Sequence, residues 1–470
     1  MKKSNAYGLL IALMCMWHPG FAADSTKVLS RDALMGIILK YHPVAKQAGL
    51  RVERAVAGIT ESRGAFDPTV KADLDRKTFD GTRYYSYFHP KLSIPTWYGI
   101  EIKAGLEEVS GDRVNSESTL GKTSYAGITI AAHGLLFDER RAVLRQAQSF
   151  YQLSGAEQQL AINDLLFSAL TNYWSWVQEY RVYQVLTEAL KVNEQRIRFI
   201  KTEYEQGARA AIDTVEAITQ LQNIQLQQQA SRLAVQNAGL ALSVFLWLET
   251  GAPAAWNEQI VPDNEATSSF SVSNLPGLEQ LITEALTRHP KLNALKYKTD
   301  ILRIDSRLKA QYLLPKVNLN ANLLNKGYTL PDKVSSQFLS NNYKLGFDVS
   351  MPLFLREARG AYRSARLKVE ENEWEIKLQL VEVENKIKQY FNEVANLEKQ
   401  LLLSEQMFVN AQRLYQAERT RLEVGESTLF LLNSRENKLL ETAQKLQEVT
   451  VKRNKSYTGV LWAAYKLVQQ

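Results

Sequence analysis

The chain has 470 residues, with 57 Lys and Arg against 50 Asp and Glu, and a formal net charge of +7. Its single cysteine, Cys15, lies close to the start, so the rest of the chain can form neither a disulfide framework nor a thiol-based site. Basic and acidic residues are mixed along the sequence, which is typical of a solvated surface and argues against a nucleic-acid partner.

Residues 1–22 have the pattern of a secretory signal peptide. A positively charged start and an apolar stretch are followed by small residues, so the mature chain is expected to begin at Ala23. Lipidation of Cys15 is not favoured, because Met14 stands where a lipoprotein signal needs a small residue.

The remainder of the chain reads as two copies of one unit. Tyr41-His42-Pro43 returns as Arg288-His289-Pro290, and Glu205-Gln206-Gly207 returns as Glu423-Val424-Gly425. The predicted parts are a first repeat, a linker rich in Ser, Pro and Asn, and a second repeat, with boundaries 23–250, 251–275 and 276–470.

Each repeat has the same predicted order: a helix after His-Pro, a β region, a long helix, a turn at glycine and a return helix. Proline suits the first position of a helix, where its missing N–H is not needed. The predicted helices are 44–64, 139–206 and 212–249, then 291–313, 357–424 and 429–468. The predicted strand regions are 66–136 and 315–353, and the helical hairpins are 139–249 and 357–468.

The long helix of the second repeat carries an apolar row at intervals of seven residues. The row consists of Leu380, Ile387, Val394, Leu401, Phe408, Tyr415 and Leu422. Such a heptad seam is typical of a helix that packs on partner helices along a narrow stripe. At 1.5 Å per residue the helix is about 100 Å long, which indicates an extended hairpin outside a compact domain.

The β regions show strict alternation of apolar and polar residues. From Lys316 to Leu323 every second residue is apolar, and Tyr343 to Met351 repeats the pattern. Period two predicts strands with one apolar and one polar face. An amphipathic sheet on a soluble core and a transmembrane barrel wall both fit this pattern, and the barrel is favoured because the seam helices have little spare apolar surface. The side chains predicted to face a water-filled lumen are Asn318, Asn320, Asn322, Lys344 and Asp348.

Taken together, these features resemble the TolC family of outer-membrane efflux and secretion channels. The resemblance covers nearly the whole mature chain, and its sharpest motifs are Met351-Pro352-Leu353-Phe354 and the turn Arg421–Thr428. It implies a mainly α chain with β strands that forms a homotrimer. Each protomer would give four strands to one twelve-stranded barrel and two long antiparallel coiled-coil hairpins to a periplasmic α-barrel.

The resemblance also implies partners and a location. It places the barrel in outer-membrane lipid and the helices in the periplasm. A periplasmic adaptor (membrane fusion) protein would dock on the hairpin turns, and an inner-membrane pump or an ABC secretion ATPase would supply the energy. The implied docking tip consists of Gly207, Asp213, Leu422, Glu423, Gly425, Glu426, Leu431 and Ser434.

Two features depart from the family pattern. The stretch Tyr98–Ala104 also alternates, so either it belongs to an extracellular hairpin or a sixth strand lies near Tyr84–Ile94; the hairpin is favoured, because an odd strand number would misplace the next helix. In addition, Leu431 and Ser434 stand where the family has acidic residues at the tunnel's closed end.

No motif for nucleotide binding, metal binding or a catalytic nucleophile occurs in the sequence. We therefore expect no catalytic residues, no metal, no cofactor and no enzymatic activity. The predicted function is a passive exit duct. The sequence does not identify its cargo, which could be drugs, metals or secreted protein. The alternative is a periplasmic coiled-coil scaffold, which would have no use for alternating strands.

Overall fold

A computed structural model describes residues 27–131, 137–263, 270–329 and 334–469. The predicted signal peptide therefore lies outside the described residues. Within them, no helix combines the length and the apolar character needed to cross a membrane.

Both repeats begin with a pair of helices separated by His-Pro. The bounds are α1 Arg31–Tyr41 and α2 Pro43–Arg63 in the first repeat, then α5 Leu278–Arg288 and α6 Pro290–Gln311 in the second. The Nδ1 atoms of His42 and His289 accept hydrogen bonds from the backbone N–H of Val44 (3.2 Å) and Lys291 (3.1 Å). Each histidine thus caps the helix that its proline starts, and the two helices after His-Pro are confirmed. The sequence did not predict α1 and α5.

Two helical hairpins dominate the molecule, as predicted. Their helices are α3 Glu139–Glu205 with α4 Ala211–Ser243, and α8 Arg356–Glu423 with α9 Leu429–Ala463. The 67 residues of α3 and the 68 residues of α8 make helices about 100 Å long. In each repeat the short helix and the return helix both pack along the same long helix.

The heptad seam of α8 is confirmed as a packing surface. Ile387, Val394 and Tyr415 are buried, and the other seam positions are half-buried. The largest core lies near the middle of the hairpins, where Tyr173, Trp174 and Trp176 of α3 are fully buried. The short parallel strands β1 (Lys27–Leu29) and β6 (Ile260–Pro262) adjoin this core, and the hydroxyl of Tyr173 donates to the carbonyl of Leu29.

The strands of both repeats form one six-stranded antiparallel sheet. Its members are β2 Thr69–Phe79, β3 Thr82–Pro95, β4 Ile100–Ser110, β5 Gly121–Ala131, β7 Lys316–Lys326 and β8 Tyr343–Ser350, paired in that order. A short helix, α7 (Ser336–Asn341), lies between β7 and β8. The join between β5 and β7 brings the two repeats into a single sheet.

The preferred four-strand prediction is wrong, and the sixth-strand alternative is correct. β4 pairs with both β3 and β5, so it is part of the sheet and not of a separate extracellular hairpin. The pairing of β3 with β4 is interrupted between Phe88 and Lys91, where Pro90 has no N–H to donate. The sequence pattern did not predict β3 as a strand, because it contains two prolines and prolines within a run argue against a strand.

Candidate functional site

One face of the six-stranded sheet is polar, and it includes all five predicted lumen-facing residues. Asn318 is paired with Asp348 across β7 and β8, and Asn322 with Lys344. Asn320 accepts a hydrogen bond of 2.6 Å from the hydroxyl of Thr129 on β5. The polar side chains of both repeats therefore meet on a common surface, and their role in a lumen remains a proposal.

The polar face continues across the first repeat as a lattice of charges that the sequence analysis did not single out. Lys91 lies 3.3 Å from Asp73, and His89 lies 2.9 Å from the hydroxyl of Tyr125 and 3.7 Å from Glu107. Asp73, His89 and Lys91 alternate with apolar neighbours, so the period-two pattern could have found them. Carboxylates and ammonium groups alternate over this surface, which makes it hydrophilic without giving it one sign of charge.

The opposite face of the sheet is apolar over all six strands. Cross-strand pairs on this face join Val70 to Leu92, Ile94 to Ile102, Ile100 to Ile130, Leu319 to Ile130 and Phe347 to Leu319. Within the described residues, Phe338 of the short helix α7 lines an open cavity with Val70 and Leu92 of this face. Several other side chains of the face are largely exposed, such as Phe347 at 72%. An apolar surface of this extent needs a partner that removes it from water.

The two helical hairpins turn at the glycines that the repeat predicts. Gly207 and Gly425 have φ angles of +75° and +80°, a backbone region that glycine adopts without strain. In each turn the residue after the glycine donates a backbone hydrogen bond of 2.8 Å back into the last helical turn, to Glu203 or Arg421. Both repeats therefore use the same Schellman-type ending, which places the two turns at corresponding ends of their hairpins.

The other predicted tip residues lie near these two turns, but they differ in burial and in their ion-pair partners. Asp213 lies in the first turn of α4, 4.0 Å from Arg209, while Glu423 pairs with Arg419. Leu422 is half-buried against a small core that includes Leu429. Glu426, Leu431 and Ser434 are exposed.

Exposed apolar side chains surround both turns, and the sequence analysis missed most of them. They are Tyr204, Ile212, Val215, Val424, Phe430 and Leu431, with exposed fractions from 40% to 67%. We call this set the tip patch. A cluster of exposed apolar residues at the end of a long rod is typical of a protein-binding surface.

A buried polar network links the two hairpins some 11 residues from the turns. The guanidinium of Arg196 on α3 donates to both carboxylate oxygens of Glu436 on α9 at 2.9 Å and to the hydroxyl of Tyr415 on α8 at 2.9 Å. Gln220 on α4 donates to the same carboxylate at 3.1 Å, and Asn193 does so at 3.0 Å. One carboxylate thus receives donors from two helices and joins the four helices of the two hairpins.

Burial and hydrogen bonding shift the pKa values of Arg196 and Tyr415 in this network. Burial alone would lower the pKa of Arg196, but its hydrogen bonds and attraction to Glu436 outweigh this and leave the pKa above its ordinary value. Burial raises the pKa of Tyr415. The guanidinium therefore stays charged and the phenol stays neutral, so the network is a fixed ion pair with neutral donors around it.

Residues 281–459 match the family described as outer membrane efflux protein. This match covers most of the second predicted repeat and makes it similar to outer membrane efflux proteins. The TolC-family resemblance seen in the sequence is confirmed by this match. The matched range covers α6, β7, β8, α8 and almost all of α9, so it includes the second turn and its seam.

Solved structures extend the likeness to nearly the whole chain. The CmeC outer membrane channel of Campylobacter jejuni has 14% identity and a TM-score of 0.65, with 92% of this chain and 85% of that chain covered. VceC of Vibrio cholerae has 15% identity and a TM-score of 0.64, with 92% and 95% covered. The open state of the MtrE outer membrane channel of Neisseria gonorrhoeae has 12% identity and a TM-score of 0.63, with 92% and 88% covered. At these identities the likeness shows the fold. No curated protein sequence matches the chain significantly.

The described part of the chain contains no group of three or more His, Cys, Asp or Glu side chains that could hold a metal ion. The candidate site is therefore made of surfaces: a polar sheet face, an apolar sheet face and the tip patch.

Proposed function

We propose that this chain is one subunit of a passive outer-membrane duct, through which a tripartite efflux or type I secretion system releases its cargo. The observation that carries the proposal is the amphipathic six-stranded sheet at one end of two hairpins about 100 Å long. The apolar face suits lipid and the polar face suits a water-filled lumen.

The two edge strands support assembly with further copies. Within the described residues, β2 and β8 each pair on one side only, and an unpaired strand edge is not tolerated in lipid. Because the sheet has an even number of antiparallel strands, β2 of one copy can pair antiparallel with β8 of the next. Three copies of six strands would close an eighteen-stranded barrel, in place of the twelve strands that the family resemblance implies.

The tip patch supports an adaptor as the docking partner. It lies at the end of the hairpins far from the sheet, where a protein in the periplasm could reach it. Since the chain carries no motif for nucleotide hydrolysis, an inner-membrane pump or secretion ATPase must supply the energy through that adaptor. A scaffold is the weaker candidate, because the apolar sheet face has no role in it.

Replacement of Gly425 by proline tests the duct and its docking end. Proline cannot adopt the φ of +80° and lacks the N–H that donates to the carbonyl of Leu422. We expect export to stop while heat-modifiable oligomers still form in the outer-membrane fraction. Gly360→Ala on the same helix is the control, because Gly360 has ordinary backbone angles and open space around it.

Normal export by the Gly425→Pro variant would contradict docking at the turns. Recovery of the unaltered chain in the soluble fraction after osmotic shock would contradict the membrane duct itself.

A further inference from the structure

Four arginines form an exposed stripe where the sheet joins the helices. They are Arg356, Arg359, Arg363 and Arg366, all exposed, on the first three turns of α8. Their spacing of three, four and three residues places them on one face of the helix. We call this set the arginine stripe.

The stripe faces away from the body of its own subunit. Ala365 and Asn372 are buried on the other side of α8, and the amide of Asn372 donates to the carbonyl of Leu295 on α6 at 3.0 Å. Within the part of the chain that the structure describes, none of the four arginines forms an ion pair with a carboxylate. The stripe therefore presents four guanidinium groups without internal neutralisation.

An exposed apolar segment lies directly beside the stripe. Leu353 is 94% exposed and Phe354 is 69% exposed, between the end of β8 and the start of α8. Leu355 has a φ of +50°, a strained conformation for leucine, which sets the turn that brings Phe354 next to the helix. The guanidinium of Arg356 lies 5.1 Å from the ring of Phe354. Apolar and cationic groups thus adjoin on one continuous surface.

Ahead of α3 in the first repeat, arginines also lie beside an aromatic ring, although this ring is buried. Phe137 precedes α3, and the guanidinium groups of Arg145 and Arg307 lie 5.4 Å and 5.8 Å from its ring. Both arginines line an open groove of about 690 Å³ between α3 and α6. Exposed arginines therefore also lie on α3 and α6 and are not confined to α8.

We propose that the arginine stripe and the adjoining Leu353 and Phe354 bind anionic phospholipids of the periplasmic leaflet. The inference rests on the proposed function, which places the sheet in the membrane and the helices in the periplasm. Arginine matches the geometry of phosphate oxygens with two parallel hydrogen bonds, and the apolar segment can contact the acyl chains.

The level of the stripe agrees with a lipid headgroup. α8 begins six residues after the end of β8, so Arg356 and Arg359 lie next to the membrane boundary. The headgroup layer is about 5–8 Å thick, which the first two arginines span; the stripe as a whole is about 15 Å long. Arg363 and Arg366 then contribute through longer-range attraction, which falls off within about 8 Å at physiological salt.

The test measures lipid binding to the purified full-length oligomer in neutral detergent. Native mass spectrometry counts bound dioleoylphosphatidylglycerol and, separately, dioleoylphosphatidylcholine at equal concentrations. We expect the anionic lipid to bind at least tenfold more tightly. Each arginine near the surface contributes about fivefold to this preference, so Arg356→Gln with Arg359→Gln is expected to lower it by at least tenfold.

A double variant with the same charge change serves as the control. Lys399→Gln with Arg413→Gln removes two exposed cations from the same helix, more than 60 Å from the sheet by the helical rise. This variant is expected to bind the anionic lipid like the unaltered protein. Glycerol phosphate is expected to leave lipid binding unchanged, because it lacks the acyl chains that contact Leu353 and Phe354.

Three results would overturn the inference: equal binding of the two lipids, an equal loss in the control variant, or displacement of the lipid by glycerol phosphate. A change in oligomer mass in the Arg356→Gln, Arg359→Gln variant would also overturn it, since the stripe would then be a subunit contact. Conductance in a bilayer of phosphatidylcholine separates the two proposals. A conducting protein without lipid preference refutes only the lipid site, whereas a protein that neither inserts nor conducts refutes the duct.

Discussion

Replacement of Glu436 by glutamine is expected to loosen the tip-proximal third of both hairpins. Glutamine keeps the shape of the side chain but removes the charge that Arg196 pairs with. The side chains of Arg196 and Glu436 are only 12% and 5% exposed, so water cannot replace the lost partner. Removal of one partner from a buried ion pair costs about 3–5 kcal/mol.

Amide hydrogen exchange is the suitable assay, because an oligomer with a membrane domain does not unfold in two states. A loss of 3 kcal/mol corresponds to a decrease in protection on the order of 100-fold, since about 1.4 kcal/mol is tenfold. We expect this decrease at the backbone amides around Arg196, Tyr415 and Glu436, on all the helices that the network joins. Amides of the central core around Trp174 should keep their protection.

Glu441→Gln on the same helix is the matched control. Glu441 is 68% exposed and pairs with Lys438 at 2.9 Å, an arrangement typically worth less than about 1 kcal/mol. If Glu436→Gln lowered protection no more than Glu441→Gln does, the network would not hold the hairpins together and the reasoning would be refuted.

Three further changes test the core, the caps and the sheet. Ile387→Ala removes a fully buried seam residue and should cost about 2–5 kcal/mol, while the exposed Leu403→Ala should cost little; amide hydrogen exchange along α8 compares the two variants. Burial and, to a smaller extent, nearby lysines lower the pKa of His289 from 6.5 to about 4. The neutral, buried histidine therefore contributes its full stability above pH 6.5, and this contribution is lost as the pH falls towards 4. The free energy of unfolding should be lower by about 2 kcal/mol at pH 5. His289→Asn keeps a side chain that can cap the helix, so the stability of this variant should depend less on pH. An unchanged dependence of stability on pH in the variant would contradict the prediction. Phe347→Lys on the apolar sheet face should cost up to about 2–4 kcal/mol in lipid, whereas Asp348→Lys on the polar face should insert normally in a vesicle-folding assay.

The sequence predicted the helical framework well because the signals for it are local. A seam repeated every seven residues specifies a long helix that packs on one stripe, and the observed bounds differ from the predicted ones by only one residue at the ends of α3 and α8. His42 and His289 predicted their helix starts because capping involves only the next few residues. Gly207 and Gly425 predicted the turns for the same reason.

The strand number shows where local patterns fail. β3 contains Pro90 and Pro95, which argue against a strand, yet it pairs over most of its length with β2 and β4. The two-residue turn at Asp80-Gly81 was the available signal for the β2–β3 hairpin, since Asp-Gly favours this type of turn. Strand pairing is decided by neighbours distant in sequence, and β5 pairs with β7 almost 200 residues later.

By itself, then, the sequence determined two long hairpins with glycine turns, and strands with one polar and one apolar face. All of these follow from periodicity and capping within a few helical turns. Only the tertiary structure decided the six-stranded sheet, the tip patch, the network around Glu436 and the isolation of the arginine stripe. Each of these depends on which side chains meet, or fail to meet, across segments far apart in the chain, and no local period encodes that.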